Sequence, residues 1–576
     1  MLALVGGANG SAATLLKCLS GRTPSGGSFT GDIRVNSTKP SADFSKSVGY
    51  AERLDAHQPY LTIRESLQFS ASLRLTNGIS KTRRHIHVEL VLDQLGLQYY
   101  ANHLVGSLRD GTGKTYEVAK KLTIAVELAA NPSILFLEEP ISGLDSSGTS
   151  AILSILSQLP VSGQSVIATV SHPNTRALSY FHQVIILTHE GRQAYFGPVG
   201  LDCHEILGYF TAIPRMPPYN QTQNPISFVM GVIGHGIPGR RLAVTDFVEE
   251  FQNSHLHEVS MKVINNATKN KKIGKEKDSN MISISYNYPT SFMKQLGLVL
   301  LRTQRFLWRN VNYTYSRFTG CVVIGLLMGS LYFKIKYEDT YGVTSRSLYI
   351  YMQTILIGVI SANNVIPQIG TDRLAYFREM RSKMYLPIFY PVSWVISEIP
   401  YFLIATLAFV GIGNGMARIA TETATDFLAY WSVLFIFTLC MTYFGMMITF
   451  LAPSPILAAF LVSIITSLWV SASGVVVLFS DIRFYKWMYW TNPFQYAMST
   501  LTTISFYCDT SSCQRQCSCP RLPDGSYVWD RIASIRSLSQ ERIYADVVTL
   551  AGMCTTFAVL ALLFFIILKH NSPHAH

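Results

Sequence analysis

A short apolar run ending in two carboxylates is the stretch of this sequence best suited to chemistry. Ile134-Leu135-Phe136-Leu137 reads as a buried strand, and Glu138 and Glu139 follow at its carboxyl end, the edge of a parallel sheet where ligands collect. An acidic pair in that position can hold Mg2+, directly or through water, and polarise an attacking water. Near the amino end, Gly6-Gly7-Ala8-Asn9-Gly10-Ser11-Ala12-Ala13-Thr14 has the glycines of a turn whose backbone amides cradle phosphate. A second set, Gly113-Lys114-Thr115, lacks its partner glycine: Leu108 stands five residues before Gly113, and no strand pattern leads into it.

The elements that must hold these residues alternate. Over residues 1–200, β-rich apolar runs such as Val166 to Val170 are interleaved with helical patterns, which predicts an α/β domain with a largely parallel core. Tyr195-Phe196-Gly197-Pro198 reads as a turn. We expect this domain over 1–250, a basic linker over 251–288 and a membrane domain over 289–576.

At 576 residues the chain is too long for one compact core. With 48% hydrophobic and 14% charged residues, against roughly 25% charged in soluble proteins, its parts face different solvents. Stretches near the roughly 20 residues that cross a bilayer as helix begin only in the second half, at 316–333, 348–369, 389–412, 427–450, 455–479 and 547–568. Pro453 and Pro455 split a charge-free run too long for one helix. No cleavable signal peptide opens the chain, so the amino end is expected in the cytosol. Six crossings then return the carboxyl end to it, and the loop carrying Arg373, Arg378, Arg381 and Lys383 falls on the same side, as positive charge should. The net charge of +12 resides in such loops and in Lys269, Lys271, Lys272, Lys275 and Lys277 of the linker, not in a nucleic-acid-binding face.

The same count places 481–545 outside, with Cys508, Cys513, Cys517 and Cys519, four of the nine cysteines. Disulfides suit that side, with three possible pairings; the rival is a zinc site, for which the spacing lacks paired CxxC units. Glu398 stands inside the third span, where a carboxylate is costly, and a coupling or structural bond to a neighbouring helix is expected ahead of substrate contact.

Ile134 to Asp145, with Pro140-Ile141-Ser142-Gly143-Leu144-Asp145 after the acids, resembles the Walker B and D-loop of ATP-binding-cassette ATPases. Lys120 to Leu128 resembles the helix after their signature in the ABCG, pleiotropic-drug-resistance branch, and the likeness extends through Phe377-Arg378-Glu379-Met380, Glu398-Ile399-Pro400 and Tyr489-Trp490-Thr491-Asn492-Pro493. Asn224 to Gly234 and Thr245-Asp246-Phe247 are similar to the carboxyl-terminal half of a full-size transporter. The resemblance implies a P-loop nucleotide-binding domain, a six-helix ABCG-type membrane domain, and ATP and Mg2+ as cofactors.

Against that family pattern, the site departs in several places. Within the degenerate Walker A (Gly6, Gly10, Ser11, Ala12, Ala13, Thr14), Ala12 stands for the lysine and Ala13 for the Mg2+ hydroxyl. Glu138 takes the Walker B aspartate's metal position, a methylene longer, while Glu139 keeps the catalytic glutamate's. Ser171 replaces the switch histidine and His172 falls one position late; Arg53 replaces the Q-loop glutamine. In an altered signature Thr115 keeps a hydroxyl and Glu117 is retained, and Asp145 closes the D-loop. The family places a strand and an adenine-stacking aromatic ahead of the P-loop, which a chain starting at Met1 is expected to lack through an incomplete amino terminus.

The resemblance therefore implies one half of a multi-pass exporter of amphipathic, lipid-like or xenobiotic substrates, expected in the plasma membrane with the nucleotide domain and both termini cytosolic. Its partner would be a second half with intact motifs, in the same polypeptide or in a heterodimer. The alternative is a non-catalytic subunit or fragment without transport of its own.

Overall fold

The computed structural model describes residues 1–6, 10–22, 28–35, 38–40, 44–76, 78–106, 113–234, 246–269, 288–334, 340–420, 423–477, 485–507, 522, 526–536 and 540–568. The chain divides into two compact units, Met1–Gln295 with Arg378–Tyr385, and Leu296–Phe377 with Leu386–His576.

The first unit contains β1 (Leu2–Val5), β2 (Gly49–Ala51), β3 (Ile134–Leu137), β4 (Ser165–Val170), β5 (Gln183–Leu187) and β6 (Gln193–Pro198). They form one sheet in the order β2-β3-β4-β1-β5-β6, parallel except where β6 returns against β5. Tyr195 to Pro198, read above as a turn, belongs to that returning strand. A strand does lead into the glycine turn, contrary to expectation: Leu2-Ala3-Leu4-Val5 pairs with both β4 and β5, and Ala3, Leu4 and Val5 are wholly buried. Four apolar residues are enough for a central parallel strand, which is covered on both faces.

Helices α1 (Ser11–Leu19), α2 (Phe44–Ser47), α3 (Ile63–Arg74), α4 (Lys81–Gln94), α5 (Tyr116–Leu128), α6 (Ser146–Gln158), α7 (Thr175–Leu178), α8 (His204–Ala212), α9 (Pro225–Ile233), α10 (Phe247–Gln252) and α11 (His255–Lys269) complete the unit. Leu16 of α1 packs into a core with Leu4, Tyr50, Phe136 and Leu187. Gly49 lets β2 lie close to β3, since a Cβ there would meet Leu135 Cδ1 at 2.7 Å. The stretch expected as linker opens with helical residues through Lys269; its remainder before 288, with Lys271, Lys272, Lys275 and Lys277, lies outside the described residues.

The second unit is helical. Its chain runs through α12 (Phe292–Arg309), α13 (Val311–Leu331), α14 (Thr340–Arg381), α15 (Phe389–Ala417), α16 (Ala424–Leu451), α17 (Pro455–Ser471), α18 (Lys486–Trp490), α19 (Pro493–Phe506), α20 (Val528–Arg536) and α21 (Ile543–Ile567). Each of the six expected spans falls mainly on one helix among α13 to α17 and α21. Among the described residues, four helical stretches are long and apolar enough to cross a membrane: Thr340–Arg381, Phe389–Ala417, Ala424–Leu451 and Gln540–Ile567. Ile404, Ile456, Phe460, Val559 and Ile567 are exposed on the unit, a surface suited to lipid. Gly445 permits α16 to approach α14 at Ala362, where a Cβ would strike the carbonyl oxygen.

The expected outer stretch 481–545 is not simply a loop. It contains α19, whose Phe494, Ala497 and Leu501 are wholly buried, and which packs on α16 and α21. Its sequence is charge-free but, at fourteen residues, too short to register as a span. Cys508, Cys513, Cys517 and Cys519 lie outside the described residues. The other five cysteines are free thiols, with Cys203, Cys440 and Cys554 buried.

Candidate functional site

Parallel pairing brings the ends of β1, β3 and β4 to one edge of the first unit's sheet. Val5 lies opposite Val170, and Leu137 opposite Ala168, so Gly6, Glu138, Glu139 and Ser171 emerge side by side. Gly10 caps α1 with φ of 73°, a left-handed conformation that glycine adopts without strain. A Cβ on Gly6 would meet Ser11 Oγ at 2.9 Å, so Gly6 lies close against the start of α1. Ser11 Oγ is buried without a hydrogen-bond partner, and Thr14 Oγ1 donates to the Gly10 carbonyl at 3.0 Å. Ala12 is buried and Ala13 half-buried. The amino terminus of α1 thus offers backbone amides and a hydroxyl to an anion, without a lysine from its first turn.

The two carboxylates are already engaged by protein donors. Glu138 Oε1 lies 3.4 Å from Lys17 Nζ, and Tyr50 Oη donates to Glu138 Oε2 at 2.9 Å. Glu138 N donates to the Ala51 carbonyl at 2.9 Å, which ties the β3 end to β2. Glu139 has φ of 52°, held by donation from its own N–H to Thr169 Oγ1 at 2.9 Å. Ser171 N donates to Glu139 Oε2 at 3.3 Å, and Ser171 Oγ donates to Oε1. His172 is exposed, and so is the side chain of Arg53, whose carbonyl accepts from Lys120 Nζ at 2.7 Å.

Thr115, Glu117 and Asp145 sit at helix starts. Thr115 caps α5, accepting from Val118 N at 3.4 Å, and Asp145 caps α6, accepting from Gly148 N at 2.7 Å. Glu117 pairs with Lys121 at 2.6 Å and lies beside Gly148, where a Cβ would come within 3.7 Å of Glu117 Oε2.

Behind the edge, α5 carries a buried charge cluster. Arg74 Nη1 is 2.7 Å from Glu127 Oε2, with both side chains almost fully buried. Burial pushes the Glu127 carboxyl up, but Arg74, Arg22 and Arg378 outweigh it and hold it below the ordinary carboxylate value. His57 bonds to Thr123 Oγ1 at 2.8 Å and lies against the Arg378 guanidinium. Loss of solvent, then Arg378 and Lys120, keep its imidazole well below the usual value and hence neutral.

These residues do not fit a bound Mg2+. The metal demands near-octahedral oxygen donors, yet the Glu138 oxygens face Lys17 and Tyr50, Glu139 is turned to Ser171, and Ala12 and Ala13 bring no polar side chain. Family likeness singled out Ala12, Ala13 and Ser171. It gave no sign of Lys17, Tyr50 or Thr169, whose partners are remote in sequence and meet only through strand order.

In the second unit, Glu398 of α15 is satisfied by α13: Arg317 Nη1 reaches Oε2 at 2.6 Å, and Tyr313 Oη donates to Oε1 at 2.7 Å. Arg317 also lies over the Phe402 ring, at 4.5 Å. Beside this pair is a cavity of about 100 Å³ lined by Ser316, Arg317, Cys321, Ser361, Asn364 and Phe402, among others.

A parallel α/β unit followed by a unit of long apolar helices is the domain order of ATP-binding-cassette transporters. Residues 1–142 match the family described as ABC transporter, and residues 294–506 match the ABC-2 type transporter family. The chain is 29% identical to ABC transporter G family member 31 of Oryza sativa subsp. japonica, over 88% of this chain and 35% of that protein. It is 30% identical to ABC transporter G family member 32 of Arabidopsis thaliana, over 89% of this chain and 36% of that one. Pleiotropic drug resistance protein TUR2 of Spirodela polyrhiza is 29% identical, over 89% and 35% respectively. The chain belongs with these G-family ABC transporters and spans about a third of the length of the relatives it matches.

Proposed function

We propose that this chain acts as one half of an ATP-driven exporter whose own nucleotide site contributes little hydrolysis. A second ABCG-type half, in the same polypeptide or in a heterodimer, supplies an intact Walker A, Walker B and switch histidine. This chain offers Thr115 and Glu117 to the partner's nucleotide, and closure of the two nucleotide domains drives the membrane helices between inward and outward states. The observation that carries this reading is the double engagement of the acidic pair, Glu138 by Lys17 and Tyr50, and Glu139 by Ser171. Donors to a charged carboxylate lower its basicity and compete with a metal ion for its oxygens.

The substrate is an amphipathic, lipid-like or xenobiotic molecule. The apolar exterior of the second unit, the mixed lining of the cavity beside Arg317 and the drug-resistance name of one relative support that class. The protein works as a multi-pass component of the plasma membrane, with its first unit and both termini in the cytosol. The test is ATPase activity of the purified chain, alone and combined with a partner half. Activity restricted to the combination supports the reading; a robust Mg2+-dependent rate from the chain alone overturns it.

A further inference from the structure

We propose that the Lys17 ammonium takes the place of a divalent cation at Glu138, so that nucleoside triphosphate bound at the α1 amino terminus is bound without Mg2+. This rests on the reading of that terminus as a nucleotide site, and it goes further by assigning the counter-charge to a side chain. Lys17 lies four residues after Ala13, on the same face of α1. Side chains in a helix lean toward its amino end, so Lys17 extends back toward the turn where the family's metal would sit.

At Glu138 itself the charge is balanced without a metal. Glu138 contributes one negative charge, and Lys17 Nζ neutralises it at 3.4 Å. Tyr50 Oη supplies a neutral donor to the other oxygen at 2.9 Å, and Arg22 stacks over the Tyr50 ring at 4.3 Å, fixing its direction. Burial, reinforced by Glu138, raises the Tyr50 hydroxyl above its ordinary value, so it remains a donor at any physiological pH. A divalent ion at Glu138 would have to displace the ammonium and the phenol, and Ala13 offers no hydroxyl in return. Lys17 is half-exposed, so its amine can face both Glu138 and an incoming anion.

The test uses the full-length chain in detergent or nanodiscs. Mn2+ serves as a paramagnetic probe of the metal position, and trinitrophenyl-ATP is titrated in MgCl2 and in EDTA. Wild type should retain no Mn2+ and bind the nucleotide with affinities agreeing within about twofold in the two media. Lys17→Met should acquire a Mn2+ site that Lys17→Met with Glu138→Gln loses, and thermal unfolding of each variant verifies the fold. Stoichiometric Mn2+ on wild type, no Mn2+ on Lys17→Met, an affinity gain of about tenfold from Mg2+ on wild type, or no nucleotide binding in either medium each overturns the proposal. Failure of the paired-transporter reading shows elsewhere, in the ATPase of the combined halves, which Mn2+ retention does not report.

Discussion

Arg317 and Glu398 face each other at 2.6 Å inside the helical unit, with side chains 5% and 0% exposed. The carboxylate accepts a second bond from Tyr313, one helical turn before Arg317. A pair so enclosed is expensive to break from one side, because the remaining charge has no solvent to turn to. Glu398→Ala should therefore lower stability by about 3–5 kcal/mol, read as loss of detergent-stable protein and of thermal midpoint. The double replacement Glu398→Leu with Arg317→Met should recover most of it. Equal damage from the single and double variants would show that the pair is not the unit that matters.

Glu139 occupies the position that the family resemblance assigns to the catalytic carboxylate, yet it accepts from both the backbone and the hydroxyl of Ser171. In an assembled transporter, Glu139→Gln is expected to leave the ATPase rate within about twofold, since Glu139, with both oxygens held by Ser171, serves this half as no general base. A fall of about a hundredfold, typical of losing a working general base, would place hydrolysis at this half.

Thr115 is different, because its proposed role lies across the dimer. Thr115→Ala should lower the ATPase of the combined halves by about tenfold, while nucleotide binding to this chain alone stays unchanged. Losing the α5 cap also costs about 1 kcal/mol of stability. Thr115→Ser should restore both, which separates the hydroxyl from the methyl.

Two buried groups give stability a pH dependence with distinct windows. The Glu127 carboxyl is depressed in the folded state, so its contribution is complete above the ordinary carboxylate value and is lost as pH falls through the folded one. Glu127→Gln should flatten that acid limb and lower stability by about 3 kcal/mol at neutral pH, by leaving Arg74 unpaired. His57 is also depressed, so its contribution is complete above its ordinary value of 6.5 and declines as pH drops below that. Denaturant midpoints between neutral and mildly acidic pH measure it, with a limiting slope of about 1.4 kcal/mol per pH unit. An unchanged acid profile in His57→Gln would assign that slope to another group.

Much of the site was legible from residue types. A four-residue apolar run ending in Glu138 and Glu139 already called for a strand carrying two acids to a sheet edge, and family likeness implied that Ala12, Ala13 and Ser171 stand where other groups are usual. The strand β1 escaped notice because four residues carry too little periodicity, and α19 because its buried helix is shorter than a bilayer is thick.

The sequence by itself determined where apolar length suffices for membrane helices and where a parallel α/β core forms, because these follow from local composition and spacing. Which donors meet Glu138 and Glu398 was decided by tertiary structure alone. Lys17 is separated from Glu138 by 121 residues, Tyr50 by 88 and Arg317 from Glu398 by 81. Pairing over such distances depends on strand order and helix packing, and a charge finds its partner only when folding removes the water that would otherwise have served.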